Sequence, residues 1–212
     1  MVRRHPPPPK LRSGLPGIWL FSDERIAASM VELAALLPPG SGIILRHDGL
    51  AKGERWRLAR RLMRIARVRG LALLLAGAPA EARRWAMDGV HLRQLRAGEA
   101  ARARRLGLFV TMPVHDGREA RRARRARAAA VFISPLHPTR SHPDAPALGR
   151  AAWLRLARLS ATQAIALGGM TRARARALNR GGGIDAGWAA IDTWDEKAEK
   201  RRAKAALRFG SG

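Results

Sequence analysis

The chain of 212 residues contains no cysteine. That absence excludes a disulfide scaffold, a cysteine-ligated zinc or iron–sulfur site and a thiol nucleophile, and it fits a reducing compartment. No apolar run is long enough to cross a bilayer, so membrane insertion is not expected. The first ten residues carry two Arg and four consecutive Pro but lack the apolar middle of a secretory signal, and a cytoplasmic protein is expected. Several catalytic signatures are also missing. There is no Gly-x-x-x-x-Gly-Lys-Ser/Thr loop, no His-Glu zinc pattern, no Ser nucleophile elbow and no pair of carboxylates at a recognisable spacing.

Hydrophobic residues make up 47% of the chain, enough to build a core and to set disorder aside. Charge is heavily one-sided: 41 Lys and Arg against 16 Asp and Glu give +25. A surplus of that size suits nucleic acid or an anionic surface. Only five of the basic residues are Lys, however, and Arg shares the helical stretches with Ala throughout. The runs Arg118 to Arg127 and Arg172 to Arg180 therefore read first as the solvated faces of outer helices, with nucleic acid as a secondary partner.

Short apolar runs alternate with helical stretches along the chain. The expected strands are 17–21, 42–45, 71–75, 89–92, 108–112, 131–133, 163–167 and 186–191. The expected helices cover about 24–37, the Arg-rich stretch ending before Gly70, 80–86, 98–106, 118–128, 147–159, 171–179 and 195–207, with Thr171 as an N-cap. Each strand is apolar through its middle, as a parallel sheet covered on both faces requires. Eight such units in this length predict a single-domain α/β fold, a TIM (β/α)8 barrel. A Rossmann-like sheet would place a glycine fingerprint after the first strand, where the chain reads Ser22-Asp23-Glu24-Arg25. The domain reading is a Pro/Arg-rich tail over 1–14, the barrel over 15–195 and a basic C-terminal helix or tail over 196–212.

In a barrel the chemistry lies at the C-terminal ends of the strands. That rule selects Asp23, Arg46, His47, Asp48, Gly77, His91, Arg93, Gln94, His115, Ser134, Thr139, Ser141, His142, Gly168, Gly169 and Asp192. His115 follows the fifth strand, and an imidazole at a barrel mouth can shuttle a proton. Gly168 and Gly169 follow the seventh strand, where backbone N–H groups at a helix start can hold a phosphate. The run Pro138-Thr139-Arg140-Ser141-His142 offers hydroxyls and cations that suit a phosphate or a polar ring. His91 alternates away from Val90 and Leu92, so it is expected inside the barrel as a satisfied histidine.

Four stretches, in order, give the chain a family likeness. They are Asp88-Gly89-Val90-His91-Leu92-x-Gln94, Ser134-Pro135-Leu136-His137-Pro138-Thr139-Arg140-Ser141-His142, Ile165-Ala166-Leu167-Gly168-Gly169-Met170 and Gly187-Trp188-Ala189-Ala190-Ile191. Over roughly 15–195 the chain resembles the thiamine-phosphate synthase/TenI family of TIM barrels. The resemblance implies thiamine biosynthesis. Synthases of that family join hydroxymethylpyrimidine diphosphate to a thiazole phosphate with magnesium, and the TenI branch isomerises a thiazole carboxylate phosphate.

The pyrimidine-diphosphate half departs from the synthase pattern. Of Gln-Leu-Arg-x-Lys only Arg46 is kept among the polar positions, and Asp48 stands at the Lys. The Asn-Asp after the third strand, which supplies a magnesium ligand, falls on Ala76-Gly77, and the second ligand Asp falls on Arg96. The thiazole-phosphate half keeps Thr139, Ser141, Gly168 and Gly169, and His115 matches the TenI acid/base. The pattern implies a TenI-like protein that binds a small phosphorylated heterocycle, expected to be a thiazole phosphate. His115 would be catalytic, and Arg46, Thr139, Ser141, Gly168 and Gly169 would bind the ligand. No metal or cofactor is expected, with magnesium entering only if synthase activity is kept. The alternatives are that synthase, or a non-catalytic basic protein that binds nucleic acid or an anionic surface. Two copies forming a homodimer is compatible with such a barrel, and nothing in the sequence locates the interface.

Overall fold

A computed structural model describes residues 15–24, 29–138, 146–180 and 184–209, the side chains of 192, 202 and 205–209 excepted. Each short apolar run pairs in parallel with the next, and the last pairs with the first. The strands are β1 (Ile18–Phe21), β2 (Gly42–Leu45), β3 (Ala72–Leu75), β4 (Gly89–His91), β5 (Phe109–Val114), β6 (Ala130–Ile133), β7 (Gln163–Ala166) and β8 (Gly187–Ala190). They close into one barrel in sequence order, with β1 joined to β8 through Trp19↔Ala189 and Leu20↔Ala190. The chain is a single-domain TIM barrel. The outer ring is α1 (Met30–Leu36), α2 (Lys52–Arg69), α3 (Pro79–Arg84), α4 (Ala100–Arg105), α5 (Gly117–Arg125), α6 (Gly149–Ser160), α7 (Arg172–Asn179) and α8 (Asp192–Phe209).

Strand alternation sorts the apolar side chains into two layers. Trp19, Phe21, Ile44, Leu74, Phe132 and Ile165 fill the barrel interior beside the small Ala72, Ala130 and Ala189. Their neighbours Leu20, Ile43, Leu45, Leu73, Leu75 and Val90 turn outward under the helices. Inside, Phe132 packs edge-on against both Trp19 and Phe21, at centroid distances of 5.4 and 4.9 Å. Trp19 lies so close to β2 that a Cβ on Gly42 would fall 2.3 Å from its ring. The indole N–H of Trp19 donates to the Pro16 carbonyl at 2.6 Å. This plug leaves the C-terminal end of the barrel as the open one.

The Arg–Ala pattern of the helices follows from the same geometry. In α5 only Ala120 and Ala123 are buried, while Arg118, Arg121, Arg122, Arg124 and Arg125 are exposed. Alanine lets the helix sit close to the sheet, and arginine solvates the other face. The Arg runs thus lie on the outer ring. Helix ends follow the local chemistry: Gly70 closes α2 at φ 61°, and Thr171 caps α7 by accepting the Arg174 N–H at 3.2 Å.

Several boundaries differ from the sequence expectation, two of them with a clear local cause. Helix α1 starts at Met30, because the Ser29 hydroxyl caps it by accepting the Glu32 N–H at 3.2 Å. Strand β5 runs past Met112 through Pro113 to Val114, because those two residues find Phe132 and Ile133 of β6 in register. Helix α8 crosses position 195 without a break, and Ala198 within it is fully buried. Among the described residues no helix is long and apolar enough to cross a membrane.

Candidate active site

A cavity of about 950 Å³ opens at the C-terminal mouth. Its walls bring together Arg46, His115, Gly168 and Gly169 from three different strand ends. Thr139 and Ser141, expected beside the phosphate, fall in 139–145, outside the described residues, as does His142. The side chain of Asp192 is likewise outside them.

His115 sits where β5 turns into α5. Asp116 is the N-cap of α5, and its carboxylate accepts the Glu119 N–H at 2.8 Å. That bond holds the Asp116 carboxyl below the usual carboxylate range. The same first turn aims Glu119 back at His115. One carboxylate oxygen accepts the His115 backbone N–H at 2.8 Å and lies 2.9 Å from its Nδ1. A carboxylate only accepts, so Nδ1 carries the hydrogen, and in the neutral ring Nε2 keeps its lone pair. The imidazole is about half exposed and lines the cavity. Sequence reasoning missed Glu119. The signal was present in Asp116-x-x-Glu119, a capping spacing that also sets Glu119 four residues after His115.

His91 forms part of the cavity floor, as expected of an interior histidine. Its Nδ1 lies 3.0 Å from the Thr111 hydroxyl, and its ring stands edge-on to Phe21 and Phe132 at 5.4 and 5.3 Å. Burial, reinforced by the Arg46, Arg93 and His115 charges, pushes its pKa down to about 3. It is therefore a neutral, fixed group near pH 7. His47 adopts φ 47° at the end of β2, and its Nδ1 lies 2.8 Å from the buried Ser22 hydroxyl. The Arg46 backbone N–H donates to that same oxygen at 2.7 Å, which ties the ends of β1 and β2 together. Burial lowers the His47 pKa as well.

Gly168 and Gly169 have φ values of 96° and 59°, which a side chain disfavours. A Cβ on Gly168 would fall 2.7 Å from Pro135 Cα, and one on Gly169 would fall 2.6 Å from the Pro138 carbonyl oxygen. Close approach to the β6 loop is thus one reason for both glycines. Their amides donate to no backbone carbonyl among the described residues, and both residues line the cavity. Arg174, in the first turn of α7, also lines it and donates to the Gly169 carbonyl, which adds positive charge at this end. Sequence reasoning did not single out Arg174, because its Arg run looked uniform.

The sequence model of one family, described as thiamine monophosphate synthase, matches residues 22–191. The chain belongs to that family. Among solved structures, thiamine phosphate pyrophosphorylase from Pyrococcus furiosus aligns with a TM-score of 0.69 at 19% identity, covering 91% of this chain and 96% of that one. FabK from Thermotoga maritima gives 0.64 at 15% identity, over 87% of this chain and 60% of that one. The YdjI aldolase from Escherichia coli K12 gives 0.60 at 10% identity, over 95% and 93%. At such identities the likeness is one of fold. No curated protein matches the sequence significantly.

For a member of the thiamine monophosphate synthase family, the rim offers little to magnesium. That ion wants several oxygen ligands. Ala76 and Gly77 carry no side-chain oxygen, and Arg96 is itself a cation, paired with Glu99 at 2.6 Å. The Asp48 carboxylate is already shared between Arg93 and Arg55, at 2.5 and 3.3 Å. Among the described residues no group of three or more His, Cys, Asp or Glu side chains is arranged to hold a metal. Among the described residues, those at positions 76, 77 and 96 do not fit the ion.

Proposed function

We propose that this family member is a TenI-like thiazole tautomerase working without a metal. The observation that carries the reading is the His115–Glu119 pair, bonded at 2.9 Å and lining the same cavity as Gly168, Gly169 and Arg46. In the reaction the neutral His115 Nε2 removes a proton from one position of a thiazole carboxylate phosphate. The electron pair moves into the ring system, a double bond shifts, and the imidazolium returns the proton at another position. Atoms and charge balance without a co-reactant. General acid–base help of this kind supplies about 10²–10⁴-fold.

Each wall has a part. The turn at Gly168 and Gly169, with Arg174 beside it, receives the phosphate. Thr139 and Ser141 assist there, and Arg46 offsets the remaining negative charge. Glu119 holds the His115 tautomer and stabilises the imidazolium formed midway. His91, neutral and packed between Phe21 and Phe132, supplies a dry floor. Synthase activity is the weaker reading, because the side-chain oxygens that would carry magnesium are absent at positions 76, 77 and 96.

The test is conversion of the thiazole carboxylate phosphate to its isomer, followed with and without EDTA. EDTA is expected to leave the rate unchanged, and His115→Asn is expected to abolish most of it. Full activity in His115→Ala would remove the proposed role. Magnesium-dependent condensation with hydroxymethylpyrimidine diphosphate would establish the synthase instead.

A further inference from the structure

The end of the barrel opposite the cavity carries a charge pattern that chemistry at the mouth does not use. Each outer helix starts beside the C-terminal end of the strand before it and finishes at the opposite, N-terminal face. Carboxylates gather at the helix starts: Glu32, Glu54, Glu81 and Glu119 stand in the first turns of α1, α2, α3 and α5. Guanidiniums gather at the helix ends, and the last turn of every helix from α2 to α7 holds at least one Arg. The barrel is thus polarised along its axis, with the positive charge turned to the closed face.

The pattern is densest where α3, α4 and α5 end. Arg83 and Arg84 close α3, Arg102 and Arg105 close α4, and Arg124 and Arg125 close α5, all of them exposed. Arg104 donates to the Ala126 carbonyl, which brings the ends of α4 and α5 together. Arg127 follows, also exposed, at φ 52°, a conformation that favours glycine. The loops leaving these three helices hold one carboxylate, Asp88, and it is turned inward onto the Leu73 N–H at 2.8 Å. Among the described residues no ion pair reaches these arginines. A cation at a helix C-terminus offsets the helix dipole, and one per helix serves that purpose. Two or three per helix, left without counter-charge, exceed it.

Every basic residue from 83 to 127 other than His is Arg, whose planar fork pairs with phosphate oxygens. The large apolar side chains exposed among the described residues are Val68 and Leu95, and neither belongs to α3, α4 or α5. Without an apolar anchor the patch is ill-suited to a bilayer. Without an exposed aromatic ring it gives single-stranded bases nothing to stack on. A regular duplex backbone suits it better. Neighbouring helices pack about 8–10 Å apart, so three ends span about 20 Å. Over that length duplex DNA carries about 12 negative charges. We propose that the ends of α3, α4 and α5 form a docking face for duplex DNA, which they grip by its phosphates and not by its sequence. The face lies across the barrel from the cavity, so the inference stands apart from the thiazole reading.

The experiment is fluorescence anisotropy of a labelled, mixed-sequence DNA duplex titrated with the full chain over a range of salt. About six phosphate contacts give a log–log salt slope of about −5. Arg105→Gln together with Arg125→Gln removes two of them. The slope should then fall to about −3.6, and the affinity near 0.1 M salt by about ten- to sixtyfold. The control pair Arg57→Gln and Arg64→Gln takes the same charge from the exposed side of α2 and should move both values little. Equal losses in the two pairs mean attraction by net charge alone and overturn the face. So does tighter binding to phosphatidylserine vesicles than to the duplex, or an RNA or single-stranded ligand that excess duplex DNA fails to displace.

Discussion

Asp88 lies at the foot of β4, away from the mouth. Its carboxylate accepts the Leu73 N–H at 2.8 Å, which links β3 to β4. Burial outweighs that bond and raises its pKa from 3.8 to about 6. A folded-state pKa above the unfolded value means the folded chain binds the proton more tightly. The stabilisation is therefore full below pH 3.8 and is lost as the pH rises through about 6. A shift of that size corresponds to an upper limit of about 3 kcal/mol, at roughly 1.4 kcal/mol per unit. Asp88→Asn keeps an oxygen to accept the Leu73 N–H and removes the charge. Near neutral pH the variant should be more stable than the parent by about 1–3 kcal/mol. At about 2–4 °C per kcal/mol for a chain of this size, the melting temperature should rise by roughly 2–12 °C. At about pH 4 the advantage should disappear. Urea melts of both proteins at the two pH values give the answer, and taking their difference cancels the other carboxylates and the large net charge. A difference that does not change with pH, or that favours Asp88 at neutral pH, would refute the reasoning.

Glu119→Gln should lower turnover by about 10–100-fold with little change in KM, since it disturbs the imidazolium rather than ligand contacts; steady-state kinetics separates the two. Gly168→Ala should destabilise the fold by about 2–4 kcal/mol, from its φ of 96° and the Pro135 contact at 2.7 Å, as read by thermal melting. Gly42→Ala should cost about 1–3 kcal/mol, because the new methyl would enter the Trp19 ring; denaturant melts followed by tryptophan fluorescence report it.

The barrel was legible in the sequence because each strand is an isolated apolar run and helices α2 to α8 separate buried alanine from exposed arginine. His91 was legible by alternation alone. What escaped depends on distance in space. Arg55 reads as one more arginine on an arginine-rich helix until β2 and β3 bring Leu45 and Ala76 to its guanidinium. Ser22 gains its importance only when β1 lies beside β2 and its hydroxyl meets the Arg46 amide. The glycine pair shows the opposite difficulty. A phosphate-binding turn is expected from its position, whereas what the fold shows there is the close passage of the Pro135 loop. The extension of β5 was hidden by Pro113, which reads as a breaker until β6 provides its partner.

The bond that starts α5 and the bond that aims the His115 ring belong to a single turn of backbone. Fraying at that point would release the imidazole as it uncoiled the helix. The stiffness of the proposed proton carrier is thus inherited from the helix end, and solvent or sequence changes that loosen the Asp116 corner should slow the proposed chemistry before they unfold the barrel.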